Sequence, residues 1–154
     1  MSQHGRFTAN LQYAGAYRAK LDEFERNGQC PFCEMWENKA LVQLEQFGWW
    51  VMDDQFPARG QQGTPAVHHL LLVPSRHITL PREMDTRDWG DVGELVRRAE
   101  REFGIVGGGL LFRFGDPDRG GQTICHIHFH LIEPGPHPEP GATGGADPVA
   151  FWVG

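Results

Sequence analysis

One stretch of this sequence carries most of its information: Gly120-Gly121-Gln122-Thr123-Ile124-Cys125-His126-Ile127-His128-Phe129-His130-Leu131-Ile132. Its second half alternates, with histidines at every second position and apolar residues between them. A β-strand with this pattern places the imidazoles on one face, roughly 6.6 Å apart, and the apolar side chains on the other. Because a buried imidazole needs partners for its ring nitrogens, we predict a functional site rather than the solvated face of an edge strand.

The composition indicates one globular domain. The chain has 154 residues, of which 40% are hydrophobic and 22% charged, which suits a single domain with its own core. The formal charge of −6 argues against a protein that follows a nucleic-acid backbone, since that function needs a basic face. A small nucleotide remains compatible, because only a few local groups need to face its phosphate.

The sequence predicts a cytoplasmic protein that is not bound to a membrane. Residues 1–10 contain no apolar signal region, and the longest aliphatic run, Leu70–Val73, is too short to span a bilayer. There are three cysteines, an odd number that includes a close Cys-x-x-Cys pair. Such usage fits a reducing compartment and a metal or redox role better than a disulfide framework.

The order of predicted elements indicates an α+β fold, with an antiparallel sheet of about five strands and two helices packed to one side. Helical spacing of apolar residues predicts an amphipathic helix over Tyr13–Asn27 and a second one that begins at Asp85 or Thr86 and ends at Gly104. Strands are predicted from apolar runs and turn signals. They are Ala40–Leu44, Gly48–Asp53, Val67–Val73, Gly109–Phe114, the histidine strand and a final short strand, Val149–Val153.

The pair Cys30 and Cys33 has two interpretations. A redox pair of the thioredoxin type needs a helix that directly follows a strand, whereas the segment before this pair is predicted to be helical. A zinc site needs two further ligands, for which His77 and His126 are candidates. The residues alone favour the zinc site and leave the redox pair open.

The three histidines also have two interpretations. A catalytic metal site would require all three ring nitrogens to converge, yet positions on one face of a strand supply two ligands more easily than three. A nucleophilic imidazole needs hydrogen-bond donors beside it to stabilise a phosphoryl oxygen. Such donors are available from Gln122, Thr123, His130 and the Gly120-Gly121 backbone.

From Cys30 to Ile132 the chain resembles the histidine triad superfamily of nucleotide hydrolases and transferases. The resemblance rests on Gly-Gln-Thr followed by His-x-His-x-His, on His69-Leu-Leu-Leu-Val-Pro-Ser-Arg-His77, and on Cys-x-x-Cys near the start. It implies a single histidine triad domain over residues 1–154, with an N-terminal helical extension over 1–28 and a Pro/Gly-rich tail over 134–154. In the zinc-containing branch of the family, the matching positions hold a structural Zn²⁺. They are Cys30, Cys33, His77 and His126.

The resemblance also assigns roles in catalysis. It makes His128 the nucleophile on the α-phosphorus of a nucleotide, through a nucleotidyl-histidine intermediate. It implies that His130 and His69 contact the phosphoryl oxygens, that Gln122 orients the nucleophile or bridging oxygen, and that Thr123 donates near the leaving group. Homodimers are common in the family, so a homodimer is one expectation for this chain.

Several positions depart from the family pattern or are matched only through it. Many relatives have an asparagine on the strand before Gly-Gln, where this chain has Arg113, a candidate phosphate ligand. The loop before His69 is longer than usual, and Asp54 (or Asp53) at its start is the candidate for binding ribose hydroxyls. Trp50, Phe32 and Met52 are candidates for a base pocket.

We therefore predict an enzyme that acts at the α-phosphate, by hydrolysis or by transfer. Its substrate is a purine nucleotide conjugate, such as a nucleoside phosphoramidate or a dinucleoside polyphosphate. The alternative is a nucleotide-binding regulatory module with little turnover, which the absence of the usual asparagine favours. A metalloenzyme that uses all three histidines and a redox protein remain further alternatives.

Overall fold

A single antiparallel sheet forms the centre of the protein. The computed structural model describes residues 15–35, 42–139, 141 and 145–151. The sheet has five strands in the order β1-β2-β3-β5-β4, and every neighbouring pair is antiparallel. The strands are β1 (Val42–Gln46), β2 (Trp49–Asp53), β3 (His68–Pro74), β4 (Gly109–Phe112) and β5 (Phe129–Glu133). This confirms the predicted α+β fold.

The helices lie between and before the strands. They are α1 (Ala16–Arg26), α2 (Pro31–Met35), α3 (Thr86–Phe103) and α4 (Pro117–Gly120), with a 3₁₀ turn over Pro81–Glu83. The two longer helices, α1 and α3, were predicted. The short ones were not, because a helix of one turn has no hydrophobic period to detect. No helix in the described part of the chain is long and apolar enough to cross a membrane.

Two strand predictions need correction. The histidine strand begins only at Phe129, and residues 126–128 precede it in irregular conformation. The predicted final strand Val149–Val153 is wrong for residues 149–151, which are not in a strand, and its remaining residues lie outside the described part of the chain.

One face of the sheet packs against α3. Asp85 caps α3 by accepting a hydrogen bond from the Asp88 N–H, and Gly104 ends it with φ of 68° in the left-handed region. The odd-numbered residues of the histidine stretch turn toward this face, where Ile127 and Phe129 are buried in the main core. The even-numbered histidines therefore face the opposite side of the sheet.

The other face carries α1, α2 and a smaller apolar cluster. Leu21 of α1 is 4% exposed and belongs to this cluster, so burying it stabilises the attachment of α1 by about 2 kcal/mol. The cluster consists of Leu21, Phe32, Met52, Leu71, Val73 and Ile124. The histidines and the N-terminal helices thus share one side of the sheet. The prediction that both helices pack to one side is therefore wrong, because α1 and α3 lie on opposite faces.

Candidate active site and metal centre

A cavity of ≈ 330 Å³ lies between α1, α2 and the sheet. This volume is at the lower end of the range of small-molecule sites. Its lining includes catalytic candidates, apolar residues, and acidic and amide residues. The lining residues are Lys20, Leu21, Phe24, Pro31, Phe32, Glu34, Met35, Met52, Asp53, Asp54, Gln55, Phe56, Leu71, Thr123, Ile124, His128 and His130.

His128 has a fixed orientation in this cavity. Its Nδ1 lies 2.7 Å from the carbonyl oxygen of His126. Because a carbonyl oxygen only accepts, Nδ1–H donates, and the neutral ring keeps its lone pair on Nε2. Burial lowers the pKa of His128 to about 4, so the ring is neutral at pH 7. The structure thus presents a buried, neutral imidazole with a free lone pair.

His69 and His130 form a directed chain of hydrogen bonds. The Ala58 N–H donates to Nδ1 of His69 at 2.9 Å, which leaves the His69 proton on Nε2. His69 Nε2 lies 2.8 Å from Nδ1 of His130 and donates to it. The His130 proton is therefore on Nε2, which is buried and has no hydrogen-bond partner among the described residues. The chain ends in a donor on a residue that lines the cavity.

His69 and His130, the two histidines joined by this hydrogen bond, are uncharged at neutral pH. Burial, and then the neighbouring His128, lower the pKa of His69 to about 4. The pKa of His130 is also well below its usual value, chiefly because of burial. His128 and His130 have ring centroids 4.9 Å apart, closer than the strand repeat, because residue 128 is not in the regular strand. Neutral rings at this distance do not repel one another.

Asp54 lies beside this histidine chain. Its Oδ1 accepts the Phe56 N–H at 2.8 Å, and its Oδ2 is 3.4 Å from Nε2 of His69. Burial raises the pKa of Asp54 to about 6, although the Phe56 N–H opposes this rise. Since His69 is neutral at pH 7, the contact is not an ion pair at that pH. Asp53, by contrast, is exposed and accepts a hydrogen bond from Gln43 Nε2 at 2.8 Å.

A second cluster contains Cys30, Cys33, His77 and His126, and their ligand atoms all lie within 4.8 Å of one another. Cys30 Sγ is 3.4 Å and Cys33 Sγ 3.7 Å from His126 Nδ1, while Cys33 Sγ is 3.3 Å from His77 Nδ1. In a tetrahedral zinc site, bond lengths of about 2.3 Å to sulfur and 2.1 Å to nitrogen place S and N about 3.6 Å apart. The donor set and its spacing therefore fit Zn²⁺.

The surroundings of this cluster also fit a cation. His126 Nε2 lies 2.9 Å from the Pro74 carbonyl oxygen and donates to it, so its Nδ1 lone pair faces the cysteines. Burial, followed by the charge of Cys30, raises the pKa of Cys33 to about 12 when no cation is present. Two adjacent thiolates in this position thus require a cation to become stable ligands.

The remaining predicted site residues differ in their position relative to the cavity. Thr123 lines the cavity, as expected of a substrate-binding residue, but Gln122 and His69 are not among the lining residues. Gln122 is buried, and its Nε2 donates to the Gly115 carbonyl at 2.7 Å. His69 lies behind His130 with both ring nitrogens occupied. The Gln122 Nε2 and both ring nitrogens of His69 are thus bonded to protein groups, and the predicted contacts of these residues with a phosphoryl oxygen stay predictions.

Arg113 is also outside the cavity lining. Its Nη1 donates to the Gly121 carbonyl at 2.6 Å, and its positive charge contributes to the lowered pKa values of His128 and His130. Of the predicted base-pocket residues, Phe32 and Met52 line the cavity, whereas Trp50 does not. Phe32 lies with its ring centroid 4.9 Å from that of His128.

Sequence reasoning missed several residues of this site. Lys20, Leu21 and Phe24 on α1 line the cavity, and the amphipathic pattern of α1 indicated that one face would be buried, but not against what. The Ala58 N–H is a backbone group and has no sequence signal. Phe151 in the tail lies with its ring centroid 5.7 Å from that of His130. Residues 152–154 lie outside the described part of the chain.

Comparisons with known proteins agree with this architecture. The profile of the HIT domain matches residues 52–137. An uncharacterised HIT-like protein of Chlamydia muridarum is 31% identical over 85 residues, which are 53% of this chain and 61% of that protein. The match thus spans less than two thirds of this relative. A HIT family hydrolase from Legionella pneumophila is 27% identical, with a TM-score of 0.53 and coverage of 73% of this chain and 98% of the other.

A second solved structure is similar in fold. The histidine triad nucleotide-binding protein of Candida albicans superposes with a TM-score of 0.56 and 19% identity, over 75% of this chain and 86% of the other. At this identity the likeness concerns the fold alone. The HIT profile begins within β2, so α1 and the Cys-x-x-Cys segment precede the matched residues.

Proposed function

The chain belongs to the HIT domain family, and from this premise we propose that it is a nucleotide hydrolase or nucleotidyl transferase that acts at the α-phosphate. Nucleoside phosphoramidates and dinucleoside polyphosphates are the substrate classes. One observation carries the proposal: the hydrogen bond from His128 Nδ1 to the His126 carbonyl, which leaves the Nε2 lone pair available to a substrate in the cavity. The name of the Legionella hydrolase supports hydrolysis.

The reaction proceeds in two displacements. The Nε2 lone pair of His128 forms a bond to the α-phosphorus while the bond from phosphorus to the leaving group breaks. The leaving group takes the electron pair and, where it departs as an amine, a proton from solvent. Water or another acceptor then attacks the phosphorus, and the P–N bond breaks with return of its electrons to Nε2. The acceptor loses a proton to solvent, and His128 is regenerated in its starting form.

Charge on the phosphoryl oxygens is stabilised by His130. Its Nε2–H is buried without a protein partner among the described residues, so a phosphoryl oxygen that accepts this hydrogen bond satisfies it. His69 acts behind His130 by fixing the direction of that donor. Thr123 lies in the same lining and is proposed to donate near the leaving group. Gln122 is proposed to orient the nucleophile indirectly, by holding the Gly115 turn.

The rest of the cavity suits a nucleoside. Aromatic and methionine side chains from α1, α2 and β2 provide an apolar surface for a base, including Phe24, Phe32 and Met52. Asp54, rather than Asp53, is proposed to accept hydrogen bonds from the ribose hydroxyls, because it is half-buried at the junction between this surface and the histidines. Arg113 contributes positive potential near the phosphate.

The cysteine-histidine cluster is proposed to hold a structural Zn²⁺. Cys30, Cys33, His77 and His126 are the ligands, and their charges and spacing support this assignment. When bound, zinc supplies a cross-link and not a reacting group. It ties α2 to the chain after β3 and to the stretch before β5, and thereby holds the segment that carries His128. Thiolate ligands need a reducing compartment, which supports a cytoplasmic location.

A homodimer is proposed as well. Strand β4 lies at the edge of the sheet and is paired only with β5, and its Leu110 is 43% exposed. An edge strand with exposed apolar side chains is a surface that a second copy can cover. Light scattering coupled to size-exclusion chromatography tests this directly. A mass of one chain at micromolar concentration would contradict it.

The stereochemical course at phosphorus tests the covalent mechanism. With a P-chiral adenosine phosphorothioate carrying an amine leaving group, hydrolysed in oxygen-18 water so that the product phosphorus is also chiral, two displacements give net retention of configuration. Net inversion would contradict the intermediate, since it indicates one direct attack by water. Binding of AMP without turnover of this substrate, an adenosine phosphoramidate or a diadenosine polyphosphate would instead indicate a regulatory module.

A further inference from the structure

The C-terminal segment 145–151 is attached to the loop that precedes β3. The Gln61 N–H donates to the Pro148 carbonyl at 2.9 Å, and the Asp147 N–H donates to the Gly135 carbonyl at 2.8 Å. Pro136 and Ala146 form an isolated antiparallel bridge. The segment is therefore held on both sides, by the chain after β5 and by the loop over residues 58–66.

Asp147 is the centre of this attachment. The residue is 0% exposed. Its carboxylate accepts the Gln62 N–H at 2.9 Å through Oδ1 and the Thr64 N–H at 2.9 Å through Oδ2. Gly60 lies so close to this carboxylate that it has no space for a Cβ atom. Burial opposes ionisation of Asp147, but these backbone N–H groups hold its pKa below the usual value. A charged group thus organises the loop from inside.

The same loop supplies the hydrogen bond that orients His69. Within the loop, the Gly60 N–H donates to the Thr64 carbonyl at 2.8 Å, and the Ala66 N–H donates to the Ala58 carbonyl at 2.8 Å. Through these bonds, the residues that donate to Asp147 are linked to the backbone around Ala58. The Ala58 N–H itself donates to His69 Nδ1 at 2.9 Å. A path of hydrogen bonds, joined by the covalent chain from Gly60 to Ala58, therefore leads from Asp147 to the pair His69 and His130.

We propose that Asp147 is a positioning residue: by holding the 58–66 loop, it keeps the Ala58 N–H on His69 Nδ1 and so makes His130 present an Nε2–H donor to the substrate. The proposal depends on the proposed function in one respect only: the group that accepts this hydrogen bond is a phosphoryl oxygen of the substrate. If the Ala58 N–H moves away, His69 can carry its proton on Nδ1. His130 Nδ1 then receives no proton, and the Nε2 donor is no longer enforced.

A structural role and a positioning role give different results in the isosteric variant Asp147→Asn. An amide accepts with one oxygen only, and its NH₂ group opposes the N–H of Gln62 or Thr64, so one end of the loop is released. Stability falls under either role. Only the positioning role changes the tautomers of His69 and His130, which nitrogen-15 NMR of the imidazoles measures without any substrate.

The experiment compares wild type, Asp147→Asn and Asp85→Ala. The last variant removes the N-cap of α3 and so lowers stability at a site far from the loop. Wild type and Asp85→Ala are expected to show the Nε2–H tautomer at both histidines. Asp147→Asn is expected to show mixed tautomers and a kcat lower by about 10- to 100-fold, with KM for the nucleotide changed far less.

The proposal is overturned if Asp147→Asn keeps both tautomers and loses no more kcat than Asp85→Ala at equal melting temperature. Should Asp147→Asn not fold, Asp147→Ser removes the same carboxylate, leaves Phe151 in place and takes the same two measurements. If wild type turns over no nucleotide, the proposed function fails, while the NMR comparison still decides whether Asp147 sets the tautomers.

Discussion

His126 and His128 are two residues apart, yet their rings serve opposite purposes. His126 donates through Nε2 to the Pro74 carbonyl and directs Nδ1 to the cysteines. His128 donates through Nδ1 to the His126 carbonyl and keeps Nε2 for the cavity. In both cases a backbone carbonyl selects the tautomer. The comparison teaches that the identity of the bonded ring nitrogen, and not the histidine itself, determines whether the free lone pair faces the cysteines or the cavity.

The cysteine-histidine cluster and the cavity also differ in which parts of the fold they bring together. The cysteine-histidine cluster collects ligands from α2, from the chain after β3 and from the stretch before β5. The cavity collects groups from α1, α2 and the sheet around a space of ≈ 330 Å³. Variants of the first should act mainly on stability, and variants of the second mainly on turnover. The following predictions test this separation.

The largest effect is expected from His128→Asn. The variant lacks the nucleophilic nitrogen, so turnover of an adenosine phosphoramidate should fall by about 10⁴-fold or more. Zinc content and AMP affinity should stay close to those of wild type, because the metal ligands and the nucleoside surface are unchanged. Steady-state kinetics, metal analysis and calorimetric titration with AMP measure the three quantities.

His137→Asn is the matched control for this variant. His137 lies outside both sites, and its Nδ1 accepts the Glu139 N–H at 3.1 Å. Its turnover should equal that of wild type. If His128→Asn retained more than about a tenth of the wild-type rate, covalent catalysis by His128 would be wrong.

Cys33→Ser should affect stability more than chemistry. Losing a thiolate should release zinc and lower the free energy of unfolding by roughly 4 kcal/mol or more, whereas kcat of the folded fraction should fall less than about tenfold. Cys125→Ser is the control, because Cys125 is outside the cluster. Metal analysis and denaturant unfolding distinguish Cys33→Ser from Cys125→Ser. Unchanged zinc content in Cys33→Ser would remove Cys33 from the ligand set.

Asp54→Asn should stabilise the protein at neutral pH. The pKa of Asp54 is raised from 3.8 to about 6, so the folded state prefers the protonated acid. Its favourable contribution is complete below pH 4 and is lost as the pH rises to about 6. At pH 7 the variant should therefore gain up to roughly 3 kcal/mol relative to wild type, and nothing at pH 3.5.

The same substitution should weaken binding of ribonucleotides. At pH 7 the ionised carboxylate of wild type accepts the ribose hydroxyls, so Asp54→Asn should raise KM for a ribonucleotide more than for its 2′,3′-dideoxy analogue. Lowering the pH of wild type through about 6 should have the same selective effect on KM. An equal change for both nucleotides would contradict the assignment of Asp54 to ribose.

The smallest effect is expected from Phe24→Ala on α1. Removing part of the apolar surface should raise KM by about three- to tenfold, which corresponds to roughly 1 kcal/mol, with kcat unchanged. Glu23→Ala changes the neighbouring exposed residue and should leave both constants unchanged. Equal KM values for Phe24→Ala and wild type would place the base away from α1.

Much of this arrangement follows from local patterns in the sequence. The sequence predicted the helical period of α3, its cap at Asp85 and its end at Gly104. The alternation of His126, Ile127, His128 and Phe129 indicated that histidines and apolar residues lie on opposite faces. Cys30, Cys33, His77 and His126 were candidate ligands before their distances were known. These features depend on neighbours in sequence or on residue chemistry.

Other features depend on contacts between distant segments and left no local signal. The start of β5 at Phe129 is set by pairing with β3 and β4, not by the alternation. The Ala58 N–H on His69 joins positions 11 residues apart through a backbone group. Asp147 looks like any acidic residue in a Pro/Gly-rich tail, and only its burial distinguishes it.

Rapid-quench mass spectrometry tests the central claim most directly. Wild type and His128→Asn are each mixed with an adenosine phosphoramidate, quenched within milliseconds and analysed intact and after proteolysis. We expect one adenylyl group on wild type, located on His128, at a level that rises and then falls within a single turnover. An adduct of equal amount on His128→Asn, or full turnover by wild type with no adduct at any time resolved, would contradict the account.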